Sequence, residues 1–244
     1  MYVHVGGYIV DVHQPCQSRR CVRAFHQAAD NNQQQKREHL LQSIRQSKKR
    51  EPQRLWRPDL DPPAALGALS VILVGPKKMG NAGAVARLCN CFECDDLRVV
   101  DAACDIRSRS SLNAAMGGQR LLWQAAEHNT VSEAIADCAF TVAFGRWAEG
   151  GMAQKQALFR SASALASFLS TEGLLSIRSA VEDRAQQKVA FVFGREVGGL
   201  APEEVAACSA VCQLPMGRLQ ESLSLSHAAA IAMSAAFEVA AAEP

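Results

Sequence analysis

Five short apolar runs constrain the fold open to this chain more than anything else in it. They are SVILVG (70–75), LRVVD (97–101), FTVAFG (140–145), VAFVFG (189–194) and AVCQLP (210–215), most of them rich in β-branched residues. Each is apolar at odd and even positions alike, so both faces of the strand it forms must be covered. A one-sided antiparallel sheet would leave half of these side chains in water. Segments with helical periodicity lie between and after them, at 81–92, 111–127, 154–170, 175–187, 202–208 and 222–241. Strand alternating with helix predicts an α/β domain with a mostly parallel sheet and helices on both faces.

Open α/β sheets bind ligands beyond the carboxyl ends of their strands. Here those ends carry Gly75 and Gly80, then Gly145, then Gly194 with Gly198 and Gly199, and finally Pro215 and Gly217. Glycine lets backbone come close to a ligand and take positive φ. Such loops meeting on one rim predict a pocket there.

The domain so read covers 67–244. Residues 1–66 differ in character, with a polar stretch NNQQQKREHLLQSIRQSKKREPQRLWRP running into DLDPPAALG. The net charge of +2 hides this split. Residues 1–60 hold 11 of the 26 Lys and Arg and 5 of the 24 Asp and Glu, which leaves 15 basic against 19 acidic residues for the rest. Few apolar residues and a charge run predict a low-order extension with a short helix near 38–47. It reads as a solvated tail, with an RNA-binding arm or an organellar transit peptide around Arg19, Arg20 and Arg23 as alternatives. MYVHVGGYIVDVH lacks the basic-then-apolar order of a secretory signal. The apolar stretch 228–242 is broken by Ser234 and Glu238, short of the roughly 18 apolar residues of a spanning helix. Nine Cys at irregular spacing argue against a disulfide framework. The expectation is an intracellular protein with no membrane partner, cytoplasmic by default and organellar as the alternative.

Three segments carry chemistry. GPKKMGNAGAVARLCNCF (75–92) has neither the Gly-Lys-Ser/Thr ending of a P-loop nor the dinucleotide Gly-x-Gly-x-x-Gly. Asn81 is placed to cap a helix on which Ala82, Gly83, Ala84 and Ala86 form a close-packing face. Arg87 reaches back to the strand ends by folding along that helix, or else makes a surface ion pair. FVFGREVGGL (191–200) sets Arg195 and Glu196 at the mouth of the sheet, followed by Gly198-Gly199, suited to positive φ. A carboxylate there either orients a polar substrate or fixes a neighbouring loop by accepting backbone N–H bonds.

In the third segment, QLPMGRLQESLSLSHAAAIAMSAAFEVAAA (213–242), Pro215 ends a strand and Ser222 is placed as the N-cap of a long helix. The small side chains of that helix suit tight packing or a dimer seam. Cys89, Cys91 and Cys94 lack a matching second half for zinc, so no metal is expected. His227 stands near Ser222 and Ser226, but without a Gly-x-Ser-x-Gly elbow no hydrolase triad is read.

Together and in this order, the three segments resemble the SPOUT superfamily, specifically its SpoU (TrmH-type) tRNA/rRNA 2′-O-ribose methyltransferases. The matching residues are Asn81-Ala-Gly83 with Arg87, Phe193-Gly194-Arg-Glu196-Val-Gly-Gly199-Leu200, and Ser222-Leu-Ser224-Leu-Ser226-His-Ala228. The resemblance covers about 69–241. It implies a C-terminal trefoil knot, an exception to the rule against threaded chains, and a homodimer. It also implies S-adenosylmethionine bound by backbone around Ala143, Phe144 and Gly145, Phe193 and Gly194, and Leu214, Pro215 and Met216, with Leu223 beside them.

By the same resemblance Arg87 would help activate a ribose 2′-hydroxyl and Asn81 would hold the first loop and the substrate. Glu196 and Ser222 would support the catalytic loops. Arg is always protonated, so stabilising a developing alkoxide suits Arg87 better than acting as a base. The RNA, with tRNA favoured over rRNA, would meet Arg87, Arg107, Arg109, Arg146 and Arg195, with diffuse contacts from the basic extension. One departure stands out: the family's third-segment Asn is Ser224, which keeps donor and acceptor capacity but is shorter and lacks the amide fork. A non-catalytic RNA-binding or assembly subunit with the same fold is the alternative reading.

Overall fold

A computed structural model describes residues 64–145, 156–175, 188–219 and 222–242, together with two strands near the N-terminus. The chain divides into two units, 1–53 and 54–244. In the first, β1 (Tyr2–Val5) pairs antiparallel with β2 (Tyr8–Asp11), Tyr2 opposite Asp11 and Val5 opposite Tyr8. The sequence reading assigned no strand here, because the polarity of the whole extension masked two short β-forming stretches, YVHV and YIVD. The helix expected near 38–47 lies outside the described residues.

The second unit opens with β3 (Leu69–Val74), α1 (Met79–Cys91) and β4 (Asp96–Val100). Next come α2 (Arg109–Ala114), α3 (Gln119–Gln124), β5 (Ala126–His128), α4 (Val131–Ala134) and β6 (Phe140–Phe144). The chain continues through β7 (Ala157–Phe159), α5 (Ala162–Thr171) and β8 (Val189–Phe193). It ends with α6 (Pro202–Ala206), β9 (Ala210–Cys212) and α7 (Leu225–Ala241). The seven strands of this unit form one sheet in the order β5-β4-β3-β8-β6-β9-β7. Every pairing in it is parallel.

All five runs form strands, and their alternation explains the two layers. Leu69, Val71 and Leu73 of β3 point into one core with Val189, Phe191 and Phe193 of β8, while Ile72, Val74, Ala190 and Val192 point into the other. The first core is closed by α1, α3, α5 and α7, the second by α4 and α6. The small face of α7 is used inside the chain, where Ala229, Ala232, Ala236 and Ala240 are buried in the first core. No helix among the described residues is long and apolar enough to cross a membrane.

Two predicted helices come out differently. The stretch 111–127 is broken into α2, α3 and β5, because Gly117 takes φ +93° and Gly118 nests against α1, where a Cβ would meet the Ala86 carbonyl oxygen at 2.4 Å. Of the stretch 154–170 the described part, from 156, carries β7 before α5, and α5 starts late because the Ser161 hydroxyl caps it, accepting the Ala164 N–H at 3.0 Å. The helix expected over 175–187 falls almost wholly outside the described residues.

A polar cluster stitches the amino end of the sheet. Arg98 of β4 is 7 % exposed. Its guanidinium donates to Asp96 at 2.5 and 3.0 Å, to the Ala134 carbonyl at 2.6 Å and to both carboxylate oxygens of Asp137. Lys188, just before β8, reaches Asp96 at 3.1 Å and Asp137 at 3.0 Å, and Ser70 of β3 donates to Asp96 at 2.8 Å. A charge inside a strand buried on both faces is tolerated only with partners of this kind.

Candidate active site

Because β8 lies between β3 and β6, the loops after these three strands emerge side by side on one rim. The β3 loop leaves through Gly75 at φ +55°, its N–H on the Val100 carbonyl at 2.8 Å. The β8 loop turns back on itself: the Arg195 N–H donates to the Gly199 carbonyl at 3.1 Å, and Gly198 and Gly199 take φ +88° and +67°. That turn presses onto the strand end. A Cβ on Gly194 would lie 2.3 Å from the carbonyl carbon of Gly199 and 2.4 Å from the nitrogen of Leu200. Gly194→Ala must therefore push the turn off β8, and we expect urea unfolding to read a loss of about 1–3 kcal/mol, the usual range for overpacking against atoms that cannot rotate away.

Glu196 fixes the first loop. Its carboxylate accepts the backbone N–H groups of Lys77 and Lys78 and the Asn81 side-chain amide, each at 3.0 Å. Burial alone would raise its pKa, but these three donors outweigh that and hold the carboxyl below its ordinary value. Of the two roles read for Glu196 from sequence, fixing the neighbouring loop is the one with three bonds behind it. Asn81 is not the cap of α1. The helix starts at Met79, Lys78 is its N-cap with no side-chain bond, and the Asn81 amide is committed to Glu196.

Arg195 packs its stem over Gly75, where a Cβ would meet its Cγ and Nε at 2.9 Å, and its guanidinium forms a two-pronged pair with Glu204 at 2.8 and 2.9 Å. Glu204 also accepts the Ala201 N–H at 2.7 Å, tying α6 to the same loop. Sequence reading missed Glu204; the signal was Pro202-Glu-Glu204, a proline and acids in the first turn of a helix.

Between the β6, β8 and β9 ends lies a cavity of about 700 Å³. Phe144, Gly145, Phe193, Gly194, Leu214, Met216 and Leu223, all expected around a cofactor, line it, and so do Glu196 and Ser222. The rings of Phe144 and Phe193 stack at 4.6 Å to form one wall. Ala143 is not in the lining, since its side chain faces the opposite core, and Pro215 is an exposed neighbour. Gln213 is an unforeseen lining residue.

Ser222 is not the helix cap. Ser224 is: its hydroxyl accepts the His227 N–H at 3.3 Å and α7 starts at Leu225. Arg87 and Arg109 are exposed and form no ion pair among the described residues, whereas Arg107 is paired with Glu127. Arg87 stands outside the cavity lining, and Arg146 lies outside the described residues. Cys89 and Cys94 are buried, the Cys94 thiol donates to the Leu69 carbonyl at 3.1 Å, and the Cys89 thiol is raised in pKa by its bond to Cys94 and by burial.

With this geometry in place, the family model for the SpoU rRNA methylase family matches residues 68–234. The chain belongs to that family. This SpoU chain is 31 % identical over 163 residues to the tRNA (cytidine-2'-O-)-methyltransferase TrmJ of Methanocaldococcus jannaschii, covering 67 % of itself and 64 % of that protein. It is 28 % identical over 169 residues to the enzyme of the same name from Sulfolobus acidocaldarius, covering 68 % and 63 %. The chain thus spans less than two thirds of these relatives. The crystal structure of TrmJ from Z. mobilis ZM4 superposes with a TM-score of 0.58 at 28 % identity, covering 69 % of this chain and 68 % of that one.

Proposed function

We propose that this SpoU protein transfers a methyl group from S-adenosylmethionine to a ribose 2′-hydroxyl of structured RNA, with tRNA favoured over rRNA. The observation that carries the reading is the Glu196 clamp, which binds the loop of the first segment to the loop of the second beside the cavity. The named relatives, tRNA 2′-O-methyltransferases, support the same reaction class.

The cavity suits the cofactor. Its volume falls within the roughly 300–1,000 Å³ of small-molecule sites, with Phe144, Phe193, Leu214 and Leu225 as apolar walls. Glycines at 145, 194, 198 and 199 leave peptide groups uncovered by side chains, which suits recognition of a polar base and amino-acid end. When bound, the cofactor supplies a methyl on positively charged sulfur, an activated electrophile.

The chain's task is then to align and activate a weak hydroxyl nucleophile. Arg87, a cation with no ion pair among the described residues, stabilises the oxygen as negative charge develops. Asn81 and Glu196 keep the first loop in register with the cavity, and Ser222 stands at its rim. Ser224 in place of asparagine keeps the start of α7, since serine and asparagine cap helices about equally well, and this favours the enzyme over the non-catalytic subunit. Arg109 and Arg146 remain as RNA contacts, whereas Arg107 and Arg195 are spent on internal pairs. The trefoil knot, the homodimer, a cytoplasmic setting and the extension at 1–66 belong to the same reading.

The test is transfer of labelled methyl from the cofactor to total tRNA, followed by mapping of ribose methylation. Arg87→Ala is expected to lower the rate about 100-fold or more while calorimetry finds cofactor affinity unchanged. No transfer by the wild-type protein to tRNA or rRNA would sink the reading.

A further inference from the structure

The reaction just proposed leaves a proton to be placed, and the groups already assigned cannot take it. Arg87 never gives up its own proton under working conditions. Glu196 receives three N–H donors, and its depressed pKa makes it a poor acceptor. The Asn81 amide is a donor to Glu196, and Ser222 is a neutral hydroxyl.

A different group stands beside the cavity, flanked by lining residues although Ser224 and His227 are themselves outside the lining. Leu225 and Ala228 of the first turn of α7 line the cavity, as do Ser222 and Leu223 just before it. On that turn the Ser224 hydroxyl lies 2.7 Å from Nδ1 of His227 and 3.1 Å from the Ser226 hydroxyl. Both Ser224 and His227 are exposed, so a substrate can reach them. Capping α7 needs the Ser224 oxygen alone, which already accepts the His227 N–H; the imidazole is not required for it.

Resting on the methyl-transfer reading, we propose that Ser224 and His227 form the proton-accepting pair of this site. With its oxygen accepting the His227 N–H, the Ser224 hydroxyl proton is directed to Nδ1, and the neutral ring carries its own proton on Nε2. As the ribose 2′-oxygen forms its bond to the methyl carbon, the carbon–sulfur bond of the sulfonium donor breaks and its electron pair stays on sulfur. The 2′-hydroxyl proton passes to the Ser224 oxygen while the Ser224 proton passes to Nδ1. A sulfonium cation becomes a neutral thioether and a neutral imidazole becomes imidazolium, so charge balances. Ser224 relays the proton and His227 stores it.

The deciding variant is His227→Asn, in which an amide oxygen takes the place of Nδ1 and accepts the Ser224 hydroxyl but cannot hold a proton. With cofactor and RNA saturating, its turnover is expected to fall about 100-fold, the scale of lost general-base help. KM, calorimetric cofactor affinity and thermal unfolding are expected to stay within about twofold or one degree of wild type. In the free protein, nitrogen NMR of labelled histidine should find Nδ1 of neutral His227 unprotonated, and Ser224→Ala should abolish that preference. Wild-type transfer with undiminished turnover in H227N overturns the pair alone, as does a proton found on Nδ1 of the neutral ring. Absence of methyl transfer by wild-type protein overturns the methyl-transfer reading and the pair with it.

Discussion

Replacing Arg98 with methionine is expected to remove about 3 kcal/mol of stability at neutral pH, the low end of what breaking a buried ion pair costs. Methionine preserves the apolar stem, so the loss isolates the guanidinium. Arg98 is buried, but its partner Asp137 is about half exposed (48 % of its side chain), and water would take over part of the lost contact. What remains after the change is Asp96 and Asp137 sharing the Lys188 ammonium, with the Ala134 carbonyl deprived of its bond to the guanidinium. The Arg98 guanidinium, bonded to Asp137 and Asp96, is held above its ordinary pKa. Asp137 is held well below the carboxylate range, first by its bond to Arg98. Asp96 is also lowered: burial opposes this, but its bonds to Arg98 and Ser70 prevail.

A carboxyl with a depressed pKa in the folded state stabilises the fold above its unfolded value, near 4, and that contribution is lost as pH falls toward the folded value. The gap between wild type and R98M, read by urea unfolding, should therefore be widest at pH 6–8 and shrink steadily below about pH 4. A gap independent of pH would mean that the stem, and not the charge, holds the strands.

Glu196→Ala is expected to have the larger effect on activity. It strands the Lys77 and Lys78 N–H groups and the Asn81 amide at once, and the first loop loses its tie to the β8 turn. Because the carboxylate is only partly buried, water compensates much of this, and the stability cost should stay at about 1–2 kcal/mol. Turnover, by contrast, depends on where Asn81 and the loop stand. A misplacement of roughly 1 Å costs on the order of 100-fold, and that is the fall expected in methyl transfer under saturating conditions. Glu196→Gln separates geometry from charge: one amide oxygen still accepts, but the second acceptor is replaced by a donor facing N–H groups. Its activity should lie between the two. An E196A protein with wild-type turnover would show that the clamp serves the fold alone.

Much of this protein is legible in local sequence. The strands at 70–75, 97–101, 140–145, 189–194 and 210–215 were readable because burial on two faces is a property of the run itself. The rim was readable from glycines at strand ends. Positions that depend on a neighbour were not. Gly117-Gly118 breaks a helix because α1 lies beneath it, and Ser224 rather than Ser222 caps α7 because that is where the chain turns. β5 and β7 are three-residue edge strands, too short for any period to show. Arg98 sat unremarked inside an apolar run, although a charge buried on both faces already required partners somewhere.

The sequence by itself determined the layers, the parallel sheet and the set of residues from which a site had to be built, since hydrophobic periodicity and glycine placement act within a few residues. Only the tertiary structure decided how those residues meet. Glu196 grips Lys77, Lys78 and Asn81 across 119, 118 and 115 positions of chain. That contact exists because β8 pairs with β3 in the sheet, and strand order is settled by the packing of the whole domain, which no local pattern encodes.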